Sequence, residues 1–275
     1  MGRLKYVSEA TGETFELDGS LNFAQTALSV RGSKSDYELG YRSIESESMP
    51  ARSASLEITF LNLNEADRLV SIIDADRERN IPGRLIADKW EQRAALRGLD
   101  PSELTPSKLK ASTECCLFDG VWRKPRLLHM LPNSGDSEGT KRYTYQYPYR
   151  YASEYGSRSI AVSSKKSVAF LMCIFGFVRN PTIRIARNVY TVNVTIPKGG
   201  YLLLDGRDCS ATLVTADGVK SDVYALCVRG QGEGCGTYAW ERIPAGSSPV
   251  SWDDTFGFDL TIFEERSAPP FGSGL

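Results

Sequence analysis

Residues 201–263 read YLLLDGRDCSATLVTADGVKSDVYALCVRGQGEGCGTYAWERIPAGSSPVSWDDTFGFDLTIF. Short apolar or alternating runs at 201–204, 211–214, 222–228, 238–240, 249–252 and 256–263 are divided by Asp-Gly, Gly-rich and Pro-Ala-Gly punctuation. This is the pattern of antiparallel hairpins, because Asp-Gly supplies the positive φ that a two-residue turn requires. No run here is long and periodic enough for a helix. The stretch therefore predicts a self-contained all-β domain, a β-sandwich.

Working outward, a chain of 275 residues has room for two domains of ordinary size, and its composition is that of a soluble globular protein. With 33 basic and 34 acidic residues the formal charge is −1, so no overall field attracts nucleic acid or an anionic membrane. Residues 1–17 are polar and charged, which predicts no secretory leader, and the start MGRLKY lacks the Ser or Thr of a myristoylation signal. The apolar run 168–178, VAFLMCIFGFV, is about half the length of a membrane-spanning helix and reads as a buried strand or strand pair. Six cysteines (Cys115, Cys116, Cys173, Cys209, Cys227, Cys235) form no CxxC and no Cys/His spacing suited to zinc. Cys115 and Cys116 point to opposite faces of a strand, and all six are expected as buried free thiols of a protein made in a reducing cytoplasm.

In the first half, residues 4–7 and 14–17 predict a hairpin around Ala10, Thr11 and Gly12, and 23–31 predict another strand. Residues 37–49, YELGYRSIESESM, are polar and suit an exposed β-arm or surface loop. In 54–61, Leu56, Ile58 and Phe60 share one face of a strand. A single helix follows, with Ala66, Leu69, Val70 and Ile73 at helical spacing, Asn62 three residues before Glu65, and an end near Asp76. Residues 83–90 read as a strand. Residues 91–110 mix helix formers with Asp100-Pro101 and Thr105-Pro106, and predict an inserted excursion with a short helix at 90–96 and a helical turn at 102–104. Asp119-Gly120 is expected to turn a hairpin between 113–118 and 121–131. Residues 140–151, TKRYTYQYPYRY, read as a strand with an aromatic face, and the domain boundary falls near residue 155, giving domains 1–155 and 156–275.

Beyond that boundary, 159–163, 168–178, 182–186 and 190–196 read as strands, Lys198-Gly199-Gly200 turns into the hairpins above, and the Pro- and Gly-rich tail 267–275 is expected to fray. Catalytic material is sparse. His129 is the only histidine and sits in the apolar LLHML, where a structural role outweighs a catalytic one. The doublets Asp253-Asp254 and Glu264-Glu265 point to opposite sides of a strand, so neither is a facing acid pair. The run 230–236, GQGEGCG, lies between strands without a P-loop lysine and reads as a hairpin tip. Asp205, Asp208, Asp217 and Asp222 are too dispersed for a calcium loop. Catalytic, cofactor and metal residues are thus expected to be absent, and tyrosine-rich strands with a polar arm suit a protein gripped by neighbours.

The order of elements resembles a known family. One helix follows a strand of a β-rich first half, a closing strand runs into YQYPYRYAS, and Gly176 to Ile183 bring in Asn-Pro-Thr-Ile. Then comes PKGGYLLLDG…TLVTADGVKSDVYALCV…YAWERIPAGSSPVSW…FGFDLTIFEERSAPPF. Together these resemble the distal tail protein of long, non-contractile-tailed phages, more firmly in the second half. The 91–110 insertion and the loosely patterned 37–49 depart from it. The resemblance implies a mostly β fold, with an N-terminal barrel or sandwich carrying one packed helix (tail-tube-like) and a C-terminal galectin-like β-sandwich. It implies a homo-oligomeric ring of six at the end of a virion tail, assembled in the host bacterial cytoplasm. By resemblance the ring joins the tail-tube protein to the tail-tip hub protein near the tape measure protein and offers its outer domain to receptor-binding proteins. DNA would pass through its channel without specific binding, no membrane is entered, and the family carries no catalytic residues. The alternative class is a carbohydrate-binding module, in which Trp240 or Trp252 stacks on a sugar and Arg242 or Asp253 hydrogen-bonds to it.

Overall fold

The computed structural model describes residues 4–24, 27–132 and 155–270. The fold is mostly β and antiparallel, and the chain divides into two compact units, 1–124 with 265–275 and 125–264. The division differs from a break near 155. The chain leaves the first unit inside the strand Trp122–Met130 and returns inside Phe258–Arg266, so the exchange happens within strands and carries no linker composition. The tyrosine-rich 140–151 and the end of the tail lie outside the described residues.

In the first unit the hydrogen-bonded order is Thr14–Glu16, Leu4–Val7, Gly83–Ala87, Trp90–Thr105, Lys108–Leu117, Arg52–Phe60, Asn22–Ala24. The helix Leu63–Arg79 lies on its apolar face and buries Ala66, Leu69, Ile72 and Ile73 against Leu56, Ile58, Phe60, Leu85, Leu96 and Leu117. Asn62 caps its start by accepting from the Asn64 amide, and Asn80 in the left-handed conformation (φ 51°) ends it. The helix runs one turn past Asp76, and Ile72 rather than Val70 completes the buried stripe.

Several expectations are overturned here. Residues 27–31 form a short helix, Ala27–Arg31, after a strand of three residues. The supposed excursion 91–110 and its helix at 90–96 are instead most of a long hairpin. Trp90–Thr105 pairs with Gly83–Ala87 up to Ala94 and with Lys108–Leu117 from Ala94 onward. Trp90, Gln92, Ala94 and Leu96 point inward at period two, a pattern hidden among good helix formers. Register shifts between Arg97 and Asp100 and between Pro101 and Glu103 admit Gly98 (φ 65°) and Pro101 without breaking the hairpin.

Asp119-Gly120 does not turn a hairpin either, because Lys108–Leu117 and Trp122–Met130 are not neighbours in the sheet. Asp119 instead accepts from the Arg93 guanidinium and amide, at 2.7 and 3.0 Å, and pairs with Arg123 at 3.0 Å. Arg123 also reaches Glu265 at 3.1 Å. Burial of the Asp119 carboxylate works against its charge, but Arg93 and Arg123 outweigh it and hold the group below the usual carboxylate range.

A second buried carboxylate ties the helix to the sheet. Asp76 accepts from the Tyr6 hydroxyl at 2.6 Å and from Ser8 at 2.5 Å. A Cβ on Gly83 would lie 2.5 Å from both the Tyr6 hydroxyl oxygen and the Val7 carbonyl. Burial first, then Asp76, push the Tyr6 hydroxyl far above its ordinary pKa, which keeps it a donor.

The second unit is a sandwich. One sheet orders Lys220–Asp222, Ser210–Val214, Tyr201–Asp205, Ala169–Phe175, Phe258–Arg266 and Trp122–Met130, and the other Tyr155–Val162, Gly246–Asp253, Thr182–Ile185 and Asn188–Thr191. Phe170, Met172, Leu202, Leu204, Leu260 and Ile262 meet Ile160, Ile183, Tyr190, Val250 and Trp252 in its core. The run 168–178 gives two strands, Ala169–Phe175 and the short Val178–Arg179, within the expected strand or strand pair, although Phe175 and Phe177 are exposed, and no helix of the described residues is long and apolar enough to cross a membrane. Two strands expected from sequence are absent: 222–228 holds the short turn Tyr224–Leu226, and 238–240 is irregular. Val223, Cys227, Ala239, Trp240 and Ile243 still enter the core, so apolar letters there mark a loop that closes the sandwich.

Asp76→Ala should lower stability by about 2–4 kcal/mol in denaturant unfolding, because it strips the acceptor from two buried donors. Asp119→Asn should cost about 2 kcal/mol at pH 7. Its depressed folded-state pKa contributes stability above the unfolded value of about 3.9 and loses it as pH falls through the lower folded value. The gap between variant and wild type should therefore narrow below about pH 4, and a constant gap down to about pH 3 would refute the role given to the carboxylate charge.

Candidate functional site

The sandwich brings three reactive side chains together. Cys173 and Asp259 are register partners, and His129 Nδ1 lies 2.7 Å from Asp259 Oδ1. The His129 side chain is 63% exposed, so the apolar LLHML does not bury it. Burial, then Asp259, push the Cys173 thiol up to about 11, the reverse of what a nucleophilic cysteine needs. This arrangement is a surface histidine hydrogen-bonded to a carboxylate, beside a thiol that burial keeps protonated. The cysteines are free, and Cys209 and Cys235 are exposed against expectation because both lie in loops. Among the described residues no group of three or more His, Cys, Asp and Glu could hold a metal.

The four residues considered for sugar stacking do not converge. Trp240 is 2% exposed, stacks on Tyr224 at 4.8 Å and donates its indole N–H to the Ser210 carbonyl at 3.1 Å. Trp252 is 1% exposed and donates to the Phe256 carbonyl at 2.9 Å. Both indoles belong to the core and offer no face to a ligand. Asp253 accepts from the Thr255 amide and lines one hollow with Arg179 and Arg184, whereas Arg242 lines another.

That second hollow, about 440 Å³, is walled by the turn at Arg187 and Asn188, the glycine-rich loop at Gly234 and Gly236, the loop Glu241 to Ala245, and Ser247 and Ser248. Asn188 is 5% exposed and gives its Nδ2 to the Tyr238 carbonyl at 2.8 Å, while its Oδ1 has no partner. Glu241 accepts from the Gly234 amide at 2.6 Å, and the Tyr190 hydroxyl anchors the same loop through the Glu241 carbonyl at 2.7 Å. The sequence reading found only Arg242 of this set. Nothing in the letters around Asn188 marks a site, since the loops that wall it come from four separate stretches.

The most exposed feature lies in the first unit. Asp36–Leu39 pairs with Ile44–Ser48 and with no other described strand. All nine of these strand residues are exposed, which gives the polar stretch its expected form of a β-arm. Tyr37, Leu39, Tyr41 and Ile44 are 58%, 74%, 87% and 55% exposed, and no described cation forms an ion pair with Asp36, Glu38, Glu45 or Glu47. The tip of the long hairpin also stands exposed, with Leu104 uncovered and Glu103 clamped between Lys108 and Lys110 at 3.0 and 3.2 Å.

No model of a known protein family matches the chain, and no curated protein matches its sequence. The likeness to known proteins lies in the fold. The crystal structure of the Dit protein (gp 19.1) of phage SPP1, described as a paradigm of the hub adsorption apparatus in phages infecting Gram-positive bacteria, is similar with a TM-score of 0.54 at 11% identity, over 97% of this chain and 99% of that one. A chain of the phage p2 baseplate, in its activated conformation with strontium, gives a TM-score of 0.61 at 10% identity, over 98% of this chain and 100% of that one. The same baseplate with calcium gives the same values. From end to end, this chain has the fold of phage hub and baseplate proteins.

Core and arm should respond oppositely to substitution. Trp252→Ala is expected to cost about 3–5 kcal/mol. Leu39→Ser should stay within about 0.5 kcal/mol of wild type in the same thermal or denaturant melt.

Proposed function

We propose that this chain is a structural protein of a phage tail tip, a ring-forming adaptor of the distal tail type, and not an enzyme. One observation carries the reading: the likeness to hub and baseplate proteins extends over 97–98% of this chain, both units included. The arm is consistent with it. An isolated two-stranded hairpin is marginal in water, and one that also exposes four large apolar side chains is suited to being held by another chain. A contact in which one copy's arm grips a different surface of the next is heterologous, and such contacts close into rings when the rotation allows.

In this proposal six copies form a ring whose first units surround a channel and whose sandwiches face outward. The ring joins the tail-tube protein to the tail-tip hub protein, next to the tape measure protein, and the sandwiches carry receptor-binding proteins. A formal charge of −1 suits a channel that lets DNA pass without holding it. Assembly would take place in the cytoplasm of the host bacterium and the mature protein would reside at the virion tail tip.

Light scattering after size exclusion tests the reading. Purified protein should show six times the 30.4 kDa chain mass, or twice that for stacked rings, and ring-shaped particles by electron microscopy. The double variant Leu39→Asp, Ile44→Asp should fall to the single-chain mass with its fold intact by circular dichroism. Wild-type protein that stays at 30.4 kDa at every concentration, with or without tube and hub proteins, would overturn it.

A further inference from the structure

We propose that the open edge of the long strand Trp90–Thr105, with the arginine-lined groove beside it, is the seat for the β-arm of a second copy of this chain. The proposal rests on the ring reading above and names the surface that the arm grips. Gly83–Ala87 pairs with the long strand only as far as Ala94, and beyond that residue Lys108–Leu117 is the one described strand beside it. From Ala95 onward one edge therefore carries backbone N–H and C=O groups with no ladder partner among the described residues. Such an edge is a template on which an added strand binds.

A groove of about 360 Å³ opens where this edge begins, between Ala95 to Arg97 and the end of the long helix, with Arg77, Arg93, Ile81 and Phe118 in its walls. Asp76 is the one carboxylate in those walls, and it is buried under the Tyr6 and Ser8 hydroxyls. Arg77 and Arg93 hold Asp74 and Asp119, both at 2.7 Å. Arg97 is exposed and forms an ion pair with no described residue, not even with Glu114 across the ladder. Ile81 and Phe118 are left partly uncovered. The open edge is thus flanked by an unpaired guanidinium and by apolar surface.

The arm carries the complement. Asp36, Glu38, Glu45 and Glu47 face a single base, Arg42, within residues 36–48, so the arm is acidic and its charge suits the arginines of the groove. Asp36 and Glu38 share one face of their strand, Tyr37 and Leu39 the other. Laid along the open edge in the register that puts its carboxylates on the face of Arg97, the strand turns its apolar side chains to the face of Leu96, the side on which the helix lies. Pairing with Ile44–Ser48 uses only one edge of Asp36–Leu39, which leaves the other for the new ladder. The arm lines no part of the groove of its own chain, so the occupant is a second copy. Arm and groove are different surfaces, and the contact is heterologous.

Charge reversals on the full chain test the seat, read by light scattering across a range of protein concentrations. Arg97→Glu and Glu38→Arg each set like charges against one another in the contact and should raise the concentration needed for assembly at least about tenfold. Both positions are exposed, so unfolding midpoints and circular dichroism should match wild type. An equimolar mixture of the two variants should assemble near the wild-type concentration, because a ring that alternates them meets opposite charges at every contact. An arm seated in the groove of its own chain gains nothing from mixing. Assembly that both variants weaken and mixing does not restore would overturn the proposal. Rings that form equally well in wild type and in both variants would remove this seat and keep the ring, whereas wild-type protein that stays a single chain would remove both.

Discussion

An antiparallel sheet with one apolar face must have that face covered, and the two units meet this constraint in different ways. The first lays a single amphipathic helix on its sheet, so that Leu69, Ile72 and Ile73 meet Leu56, Ile58 and Leu85. The second faces one sheet with another, so that Phe170, Leu204 and Leu260 meet Ile183, Val250 and Trp252. At roughly 25 cal/mol per Å² of apolar surface, such contacts dominate the stability of each unit. The arm at Asp36–Leu39 and Ile44–Ser48 is the exception: nothing described in the chain covers either face. The arm therefore keeps Tyr37, Leu39, Tyr41 and Ile44 exposed.

Buried polar groups add direction to this apolar scheme. Asp76 collects the hydroxyls of Tyr6 and Ser8 and fixes the helix against the first strand of its sheet. Asp119 collects Arg93 and Arg123 at the point where the chain leaves the long hairpin. Each carboxylate is satisfied by two or more donors, the condition under which burying charge is tolerable. Asn188 breaks the rule, since one end of its amide is satisfied and the other is not.

Much of the fold could be read from the letters. Leu56, Ile58 and Phe60 alternate, Ala66, Leu69 and Ile73 recur at helical spacing after a capping Asn62, and both patterns were realised. The long hairpin was not legible. EQRAALR is rich in helix formers, and its inward face shows period two only once Gly83–Ala87 and Lys108–Leu117 lie on either side. Asp119-Gly120 has the letters of a hairpin turn, but its strands are partnered elsewhere, and turn chemistry cannot see the neighbour that arrives from far along the chain. The aromatic residues misled for a related reason. Trp240 and Trp252 look available in sequence, yet burial is a property of what covers a ring.

By itself the sequence determined the class of the fold, mostly β with one long amphipathic helix, together with the exposed arm and the core strand Ala169–Phe175. These follow from hydrophobic period, capping and turn residues, which act over a few neighbours and so are written locally. Only the tertiary structure decided which strands pair, where one unit gives way to the other, and which polar atoms are left without partners. Those depend on contacts such as Arg93 with Asp119, Tyr6 with Asp76 and Asn188 with Tyr238, each made across 26 to 70 residues of chain. No local pattern encodes a partner that distant, because the contact exists only when the whole apolar face has closed around it.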